Sequence, residues 1–217
     1  MAQTSKPLAG KVALVTGGSR SIGAAIARRL AADGAAVALT YSASRERAEA
    51  IVSEIVADGG RALAIEADAG NPDAVRSAVA QTVNTLGRLD ILVNNAGIAI
   101  NAPIEDFKFE DYERMLAVNV TGVFVATQEA ARHMTIGGRI IHIGSSMTRY
   151  AAFPTASVYT LTKGRSLAST ARSSVRAWRL VAMAKPPRLP ASVAYLARPE
   201  AAFITGADIL ADGGLTA

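Results

Sequence analysis

Short apolar runs alternate along the chain with longer segments in which apolar residues recur every three or four positions. The five runs are five or six residues long: 11–16, 37–41, 62–67, 89–94 and 139–144. Amphipathic helices are predicted between or after them, at residues 22–30, 44–57, 72–86 and 111–133. Strands that are apolar throughout are typical of a parallel sheet covered on both faces. The pattern therefore predicts a Rossmann-type, doubly wound α/β fold with three layers.

The pattern weakens after Lys163. Apolar residues recur at helical spacing over residues 167–178, so we expect one helix from about residue 157 to about residue 184, where two prolines end it. A short helix at residues 191–197 and a last strand at 209–211 follow. Because no strand is expected between the two helices, the sheet is predicted to be incomplete or rearranged in this part.

Length and composition limit the number of domains and the setting. A chain of 217 residues, half of them hydrophobic, suits one α/β domain, so residues 1–217 are predicted to form a single unit. The chain has no cysteine and two histidines, so neither disulfides nor a metal site are expected. No signal peptide and no apolar run of about 18 residues is present, which predicts a cytoplasmic protein without membrane contact.

Most of the net charge of +5 comes from the last quarter of the chain. Residues 1–163 carry 16 basic and 15 acidic side chains, whereas residues 164–217 carry 7 and 3. No aromatic residues alternate with these basic residues to stack on bases, so nucleic-acid binding is not expected. A solvated basic face or a contact between subunits is the simpler interpretation.

Two motifs about 140 residues apart carry the candidate chemistry. Residues 16–23, Thr-Gly-Gly-Ser-Arg-Ser-Ile-Gly, form a turn between the first strand and the first helix, where backbone amides bind a pyrophosphate. Ser21 stands in this turn where glycine is usual. Tyr159 and Lys163 lie one helical turn apart, which makes the phenol a candidate proton donor beside a cation that favours its phenolate. Together the motifs indicate nucleotide-dependent redox chemistry.

Five blocks in chain order make the sequence similar to the short-chain dehydrogenase/reductase family. They are the turn at residues 16–23, Asp68, the Asn-Asn-Ala-Gly block at 94–97, Asn119, and Tyr159 with Lys163. Thr-Gly at 205–206 and Asp-Gly-Gly at 212–214 also fit that family's pattern. The resemblance covers residues 8–163 and again about 188–217, and it implies the same fold as the periodicity does.

The resemblance also implies the catalytic residues, which are Asn119, Ser145, Tyr159 and Lys163. Tyr159 would protonate the alkoxide that develops when a ketone is reduced. Lys163 would also hold the nicotinamide ribose, and Asn119 would anchor a water that leads to the lysine. A serine hydroxyl near the carbonyl oxygen completes the set. Ser145 and Ser146 both have spacings to Tyr159 that occur in the family, and we favour Ser145 because it directly follows the end of the strand.

The resemblance implies a longer set of cofactor-binding residues. They are Gly17, Ser19, Arg20, Ser21, Ile22, Gly23, Tyr41, Ser42, Asp68, Asn94, Ala96, Gly97, Tyr159 and Lys163. Asp68 is expected to meet the adenine amino group, and Asn94, Ala96 and Gly97 to line the adenosine ribose. The end of the second strand has no acid to repel a 2′-phosphate, and Arg20 could pair with it, so NADPH is expected in preference to NADH. A solvated Arg20 at the start of a helix is the alternative.

The expected function is NADPH-dependent reduction of a ketone, either a 3-oxoacyl thioester or a small ketone, to an alcohol. The alternative is a catalytically impaired cofactor-binding protein that acts as an oligomer partner or is a damaged copy. It arises because residues 164–187 contain no acid and no Pro-Gly pair, and a missing or shortened strand and substrate lid is expected around 184–190. Family members pair through two long helices, so a homodimer or homotetramer is expected, with Ala126, Ala130 and Ala168 allowing close approach.

Overall fold

A seven-stranded parallel sheet forms the centre of the protein, whose computed structural model describes residues 6–148, 154–164, 176–182 and 189–211. The strands are β1 (Val12–Val15), β2 (Ala36–Tyr41), β3 (Ala62–Glu66), β4 (Ile91–Asn94), β5 (Arg139–Ile143), β6 (Arg176–Ala182) and β7 (Asp208–Ala211). Their order across the sheet is β3-β2-β1-β4-β5-β6-β7, and every neighbouring pair is parallel. The order reverses beside β1, and ligands bind at such a point in open α/β sheets.

Helices cover both faces of this sheet. They are α1 (Ser21–Ala32), α2 (Arg45–Ala57), α3 (Pro72–Leu86), α4 (Phe109–Leu116), α5 (Gly122–His133), α6 (Ser157–Lys163) and α7 (Leu189–Ala197). Leu14 of β1 packs into the core that contains α3 and α5, whereas Ala13 and Val15 pack into the core that contains α1, α2 and α7. An uninterrupted apolar strand serves both cores because successive side chains point to opposite faces. The predicted Rossmann-type sandwich is thus confirmed. None of the helices in the described ranges is long and apolar enough to span a membrane.

Local signals in the sequence set the ends of α3, which has the predicted bounds. The side chain of Asn71 accepts hydrogen bonds from the backbone amides of Asp73 at 2.9 Å and Ala74 at 3.2 Å. At the other end Gly87 has a φ of 89°, and its amide donates back to the last turn. These contacts satisfy backbone groups that a helix leaves unpaired at its ends.

The predicted helix at residues 111–133 is divided in the structure. A π-helical turn, Ala117–Thr121, joins α4 to α5, and Asn119 is buried within it. A π-helical turn contains one residue more than an α-helical turn, which changes the direction in which the following side chains point. Such turns are frequent at functional sites, and this one carries a predicted catalytic residue.

The expectation that no strand lies between Lys163 and the short helix predicted at residues 191–197 is wrong. α6 ends at Lys163, and residues 176–182 form β6, which pairs with β5 on one side and β7 on the other. The sheet is therefore complete, and the helix expected to reach residue 184 does not include 176–182; residues 165–175 and 183–188 lie outside the described ranges. The helical spacing of the apolar residues failed to predict this strand. Pairing with the edge of β5 satisfies the backbone N–H and C=O groups of both strands, and this outweighs the local pattern.

Ala126 and Ala130 of α5 pack inside the protein. Ala126 and Ala130 are 1% and 0% exposed and belong to the core shared with α3. The expectation that they permit a close approach of a second subunit is therefore wrong, because their side chains already contact this chain's own α3 face. Val120 and Phe124 are the apolar residues that this helical segment exposes, at 43% and 48%.

Candidate active site

A cleft of about 490 Å³ opens at the carboxyl ends of β1, β2, β3 and β4. It is lined by segments that directly follow those strands, with Arg114 and Val118 from α4 and the π-helical turn completing one wall. All of the predicted cofactor residues line this cleft except Asn94, Tyr159 and Lys163. The structure thus brings together residues that are up to 80 positions apart in sequence.

The turn after β1 contains two residues in the left-handed backbone conformation, Gly17 and Ser21. Gly17 has a φ of 63°, and its amide donates to the hydroxyl of Thr40 at 3.0 Å. Ser21 has a φ of 47° and is the only residue other than glycine with a positive φ among those described. Ser21 therefore takes the left-handed conformation of the glycine that usually occupies this position. Because α1 begins at Ser21, the amides of its first turn lie at the cleft.

Thr16 and Asn95 hold this turn against the end of β4, and neither was a predicted site residue. The hydroxyl of Thr16 accepts hydrogen bonds from the amides of Asn95 and Ala96, both at 3.0 Å. The side-chain amide of Asn95 donates to the carbonyl oxygens of Thr16 and Gly17, both at 2.9 Å. Both residues belong to recognised blocks of the sequence, but the sequence does not show that the blocks bond to each other.

Asn94 points away from the cleft. Its side chain is 2% exposed and donates to the hydroxyl of Thr127 at 3.1 Å. It also lies 3.1 Å from Nδ1 of His142 on the neighbouring strand β5. Since an amide nitrogen only donates, Nδ1 of His142 is the acceptor. Among the two adjacent asparagines it is Asn95 that lines the cleft and Asn94 that joins the strands.

The end of β2 lies beside an acidic residue, Glu66, that was not among the predicted site residues. Tyr41 pairs in register with Glu66 of β3, whose carboxylate is held by Arg45 at 2.8 Å. Arg45 also lies over the ring of Tyr41, 5.8 Å from its centroid. Arg20 is exposed at the mouth of the cleft and has no ion pair with any residue in the described ranges. Of the two arginines near this end, Arg20 is therefore the one available to an anion.

Asp68 lies beyond β3 at the same wall as Arg114. Its Oδ1 accepts hydrogen bonds from the Arg114 guanidinium at 2.8 Å and from the Gly70 amide at 2.9 Å. The hydrogen bond from Arg114 is the main reason why the pKa of Asp68 is held below its usual value, and partial burial opposes it. The carboxylate therefore stays ionised at neutral pH.

Lys163 is buried behind the wall of the cleft, against Gly97. Its Nζ donates to the carbonyl oxygen of Ile143 at 3.3 Å, where β5 ends. A Cβ placed on Gly97 would lie 2.9 Å from that Nζ, so a side chain at this position would displace the amino group. Burial lowers the pKa of Lys163 to about 8, because the charged form loses its hydration. Tyr159 is half-buried one turn earlier on α6.

The side chain of Asn119 bonds in three directions. Its Oδ1 accepts from the amide of Ile98, and its Nδ2 donates to the carbonyl oxygen of Ile98, both at 2.9 Å. The same Nδ2 donates to the hydroxyl of Thr162 at 3.0 Å. Asn119 therefore joins the segment after β4 to α6, which carries Tyr159 and Lys163.

The two candidate serines differ in their surroundings. The hydroxyl of Ser145 accepts from the amide of Met147 at 3.3 Å, and the residue is 6% exposed. Ser146 is 1% exposed, and its Oγ is buried with no hydrogen-bond partner in the part of the chain that the structure describes. Ser145 is accordingly the more accessible of the two.

Curated proteins similar to this chain include several reductases. An uncharacterized oxidoreductase of Methylorubrum extorquens is 49% identical over 157 residues, 72% of this chain and 63% of that protein. Versicolorin reductase 1 of Aspergillus parasiticus is 46% identical over 157 residues, 72% of this chain and 60% of the relative. A 3-oxoacyl-[acyl-carrier-protein] reductase of Synechocystis is 34% identical over 241 aligned positions, which cover 96% of this chain and 98% of the relative. The matches to the first two span less than two thirds of those relatives.

Solved structures are similar over almost the whole chain. A short-chain dehydrogenase/reductase from Serratia marcescens is 44% identical, with a TM-score of 0.94 and coverage of 97% of this chain and 100% of that one. A short chain dehydrogenase from Burkholderia cenocepacia, solved in complex with NADP, is 40% identical, with a TM-score of 0.92 and the same coverage. The family model for short chain dehydrogenases matches residues 11–184. From this match and the geometry of the cleft, the chain belongs to the short-chain dehydrogenase/reductase family.

Proposed function

We propose that this protein reduces a ketone to an alcohol with NADPH, and that Tyr159 is the proton donor. The observation that carries the proposal is the contact between Gly97 and Lys163. Gly97 lines the cleft, and the Lys163 amino group lies directly against it. The Tyr159 and Lys163 motif therefore adjoins the site in which a dinucleotide would bind, so a donor of hydride and a donor of protons would act at one place.

The cleft suits a phosphorylated dinucleotide. The left-handed turn at Gly17 and Ser21 turns backbone amides and the start of α1 toward a pyrophosphate. Arg20 is exposed beside it, and no acid occurs at residues 40–44 to repel a 2′-phosphate. Glu66, the nearest acid on the adjoining strand, is neutralised by Arg45. These features favour NADPH over NADH, and the solved relative that carries NADP is consistent with that preference.

The chain's own residues would supply the proton and the polar surroundings. NADPH delivers the hydride to the carbonyl carbon when it is bound. The Tyr159 hydroxyl would then donate its proton to the carbonyl oxygen as negative charge develops there. Lys163, protonated below a pH of about 8, would favour the tyrosinate left behind. Ser145 would donate a hydrogen bond to the same oxygen, because the hydroxyl of Ser146 is sealed within the protein.

The substrate is proposed as a 3-oxoacyl thioester or a small ketone. Two relatives, a 3-oxoacyl-[acyl-carrier-protein] reductase and a versicolorin reductase, are reductases by name, which supports a ketone-reducing activity. The segment expected to form a shortened substrate lid includes residues 183–188, outside the described ranges. A shorter lid would leave the substrate end of the site open.

A homodimer or homotetramer is also proposed, through the helices α5 and α6. Phe124 and Val120 are about half exposed on one segment, and Leu161 is 66% exposed on α6. Burying these side chains against a second copy would be favourable by roughly 1.5–3 kcal/mol for each large side chain that is fully covered. A symmetric contact of this kind closes the assembly.

Oxidation of NADPH by the purified protein with a panel of 3-oxoacyl thioesters and small ketones tests the proposed function. We expect turnover with at least one substrate, and we expect Tyr159→Phe to lose about 2–5 kcal/mol of transition-state stabilisation. The variant should still bind NADPH, measured by cofactor fluorescence. Retention of the parental rate by Tyr159→Phe would exclude the proposed mechanism.

A second candidate function is cofactor binding without turnover, as an oligomer partner. It is favoured by the 157-residue extent of the matches to the first two curated relatives, which leaves more than a third of each relative unmatched. NADPH binding without reduction of any ketone in the panel would support this candidate over the reductase. Failure to bind NADPH would exclude both.

A further inference from the structure

Arg114 lies in the wall of the cleft and was not among the predicted site residues. It comes from α4, 46 positions away from Asp68 in sequence, and its Nη2 donates to Oδ1 of Asp68 at 2.8 Å. Its other terminal nitrogen lies so close to Gly70 that a Cβ there would overlap it. The absence of a side chain at Gly70 thus provides the space that the guanidinium occupies.

The two oxygens of the Asp68 carboxylate have different surroundings. Oδ1 accepts both the Arg114 hydrogen bond and the Gly70 amide at 2.9 Å. Within the described ranges no residue donates a hydrogen bond to Oδ2, and Asp68 lines the cleft. The two donors on Oδ1 restrict rotation of the carboxylate, so that its second oxygen remains an acceptor for a bound ligand.

We propose that Arg114 is a positioning residue that orients Asp68 and thereby makes the cleft select adenine over other purine bases. The inference rests on the proposed function, because it assumes that the cleft binds an adenine dinucleotide. The adenine amino group is a hydrogen-bond donor that a fixed carboxylate oxygen accepts. Hypoxanthine carries a carbonyl oxygen at the same place, and two acceptors facing each other repel.

The positive charge of Arg114 supports the same positioning role. The Arg114 guanidinium lowers the pKa of Asp68, so the carboxylate remains ionised, and only an acceptor, to a lower pH than an ordinary aspartate. It also balances the negative charge that Asp68 would otherwise add near a ligand that carries several phosphates. Arg114 would therefore favour binding of any adenine dinucleotide, whereas Arg20 would act only on the 2′-phosphate.

The test compares NADPH with its analogue in which hypoxanthine replaces adenine. Dissociation constants of both are measured for the full chain and for Arg114→Gln, Arg76→Gln and Asp68→Asn. Arg76 is a matched control: it pairs with Asp73 at 2.7 Å, and its side chain is 45% exposed, as is that of Arg114. We expect the parental protein and Arg76→Gln to prefer adenine by about tenfold, the value of one hydrogen bond to a charged acceptor.

In Arg114→Gln the preference should fall towards unity, mainly through weaker binding of NADPH. Asp68→Asn should reverse the preference, because with Oδ1 still held by Arg114 and Gly70 the amide nitrogen faces the cleft and donates to the hypoxanthine oxygen. An unchanged base preference in Arg114→Gln, or an equal loss in Arg76→Gln, would overturn the inference while leaving the proposed function intact. If the parental protein binds neither cofactor, the proposed function fails and this inference fails with it.

Discussion

Asn119 and Thr162 are joined by a hydrogen bond of 3.0 Å between two buried side chains. The Thr162 hydroxyl in turn donates to the carbonyl oxygen of Tyr159 at 3.0 Å. The π-helical turn and α6 are therefore connected through a single hydroxyl. Because Asn119 also bonds twice to the backbone of Ile98, the position of the Tyr159 and Lys163 pair depends on the segment that follows β4.

Replacing Thr162 by valine should disturb this connection. An Asn119 N–H would lose its acceptor in a buried place, which costs about 1–3 kcal/mol of folding stability. Turnover should fall more than NADPH affinity does, because the phenol is held less accurately for proton transfer. Urea unfolding and steady-state rates measure the two effects.

Serine at position 162 is the matched control for that experiment. It keeps the hydroxyl and removes one methyl group, so it should restore most of the activity that valine loses. Equal turnover by the valine and serine variants would show that the hydroxyl of Thr162 does not position the site.

Lys163 should make the stability of the cofactor-free protein depend on alkaline pH. Its pKa is lowered from 10.5 to about 8 by burial, so between these values the unfolded chain binds a proton that the folded chain has released. Stability therefore rises with pH across this window, and below it the buried charge destabilises the fold. The gain between pH 7 and 10.5 should be on the order of 3 kcal/mol, measured by urea unfolding.

The variant Lys163→Met isolates this effect from other titrating groups. It should lose the part of the pH dependence that Lys163 contributes and be more stable than the parental protein at pH 7. Identical pH profiles for the two proteins would mean that Lys163 titrates at its ordinary value in the folded state.

Arg20→Ala should weaken binding of NADPH by roughly 1.5–3 kcal/mol and leave NADH unaffected, because only NADPH presents a 2′-phosphate. Arg28→Ala, on the helix that directly follows Arg20, is the control, since Arg28 pairs with Glu54 at 2.6 Å and does not line the cleft. Fluorescence titration with both cofactors provides the measurement. A loss shared equally by the two cofactors would instead assign Arg20 to the pyrophosphate or to packing.

Ser21→Gly should stabilise the protein by about 1 kcal/mol. Ser21 has a φ of 47°, and a residue with a Cβ costs about 1–2 kcal/mol in that region, partly offset by the greater freedom of glycine in the unfolded chain. Ser19→Gly is the control, because Ser19 is not among the residues with positive φ and should lose stability instead. Thermal unfolding measures the stability of both variants. A lower unfolding midpoint for Ser21→Gly than for the parental protein would contradict the left-handed conformation assigned to Ser21.

Repeating local patterns were enough to predict most of the fold. Apolar runs at the first five strands predict a parallel sheet, because a strand that is buried on both faces is apolar at successive positions. The ends of α3 follow from Asn71 and Gly87, whose preferences act within a few residues. The blocks around Gly17, Asp68 and Gly97 are likewise recognisable in the sequence alone, and they line one cleft.

Tertiary structure alone decided the features that depend on distant partners. Residues 176–182 are a strand because the edge of β5 pairs with them, although the sequence around them has helical spacing. Asn94 and Asn95 are adjacent and chemically identical, yet strand geometry turns the first towards His142 and Thr127 and the second towards the cleft. The pairing of Asp68 with Arg114 likewise exists only because the sheet brings α4 beside the end of β3. Hydrogen bonds of this kind depend on the distance between folded elements, and that distance is not encoded in the residues next to them.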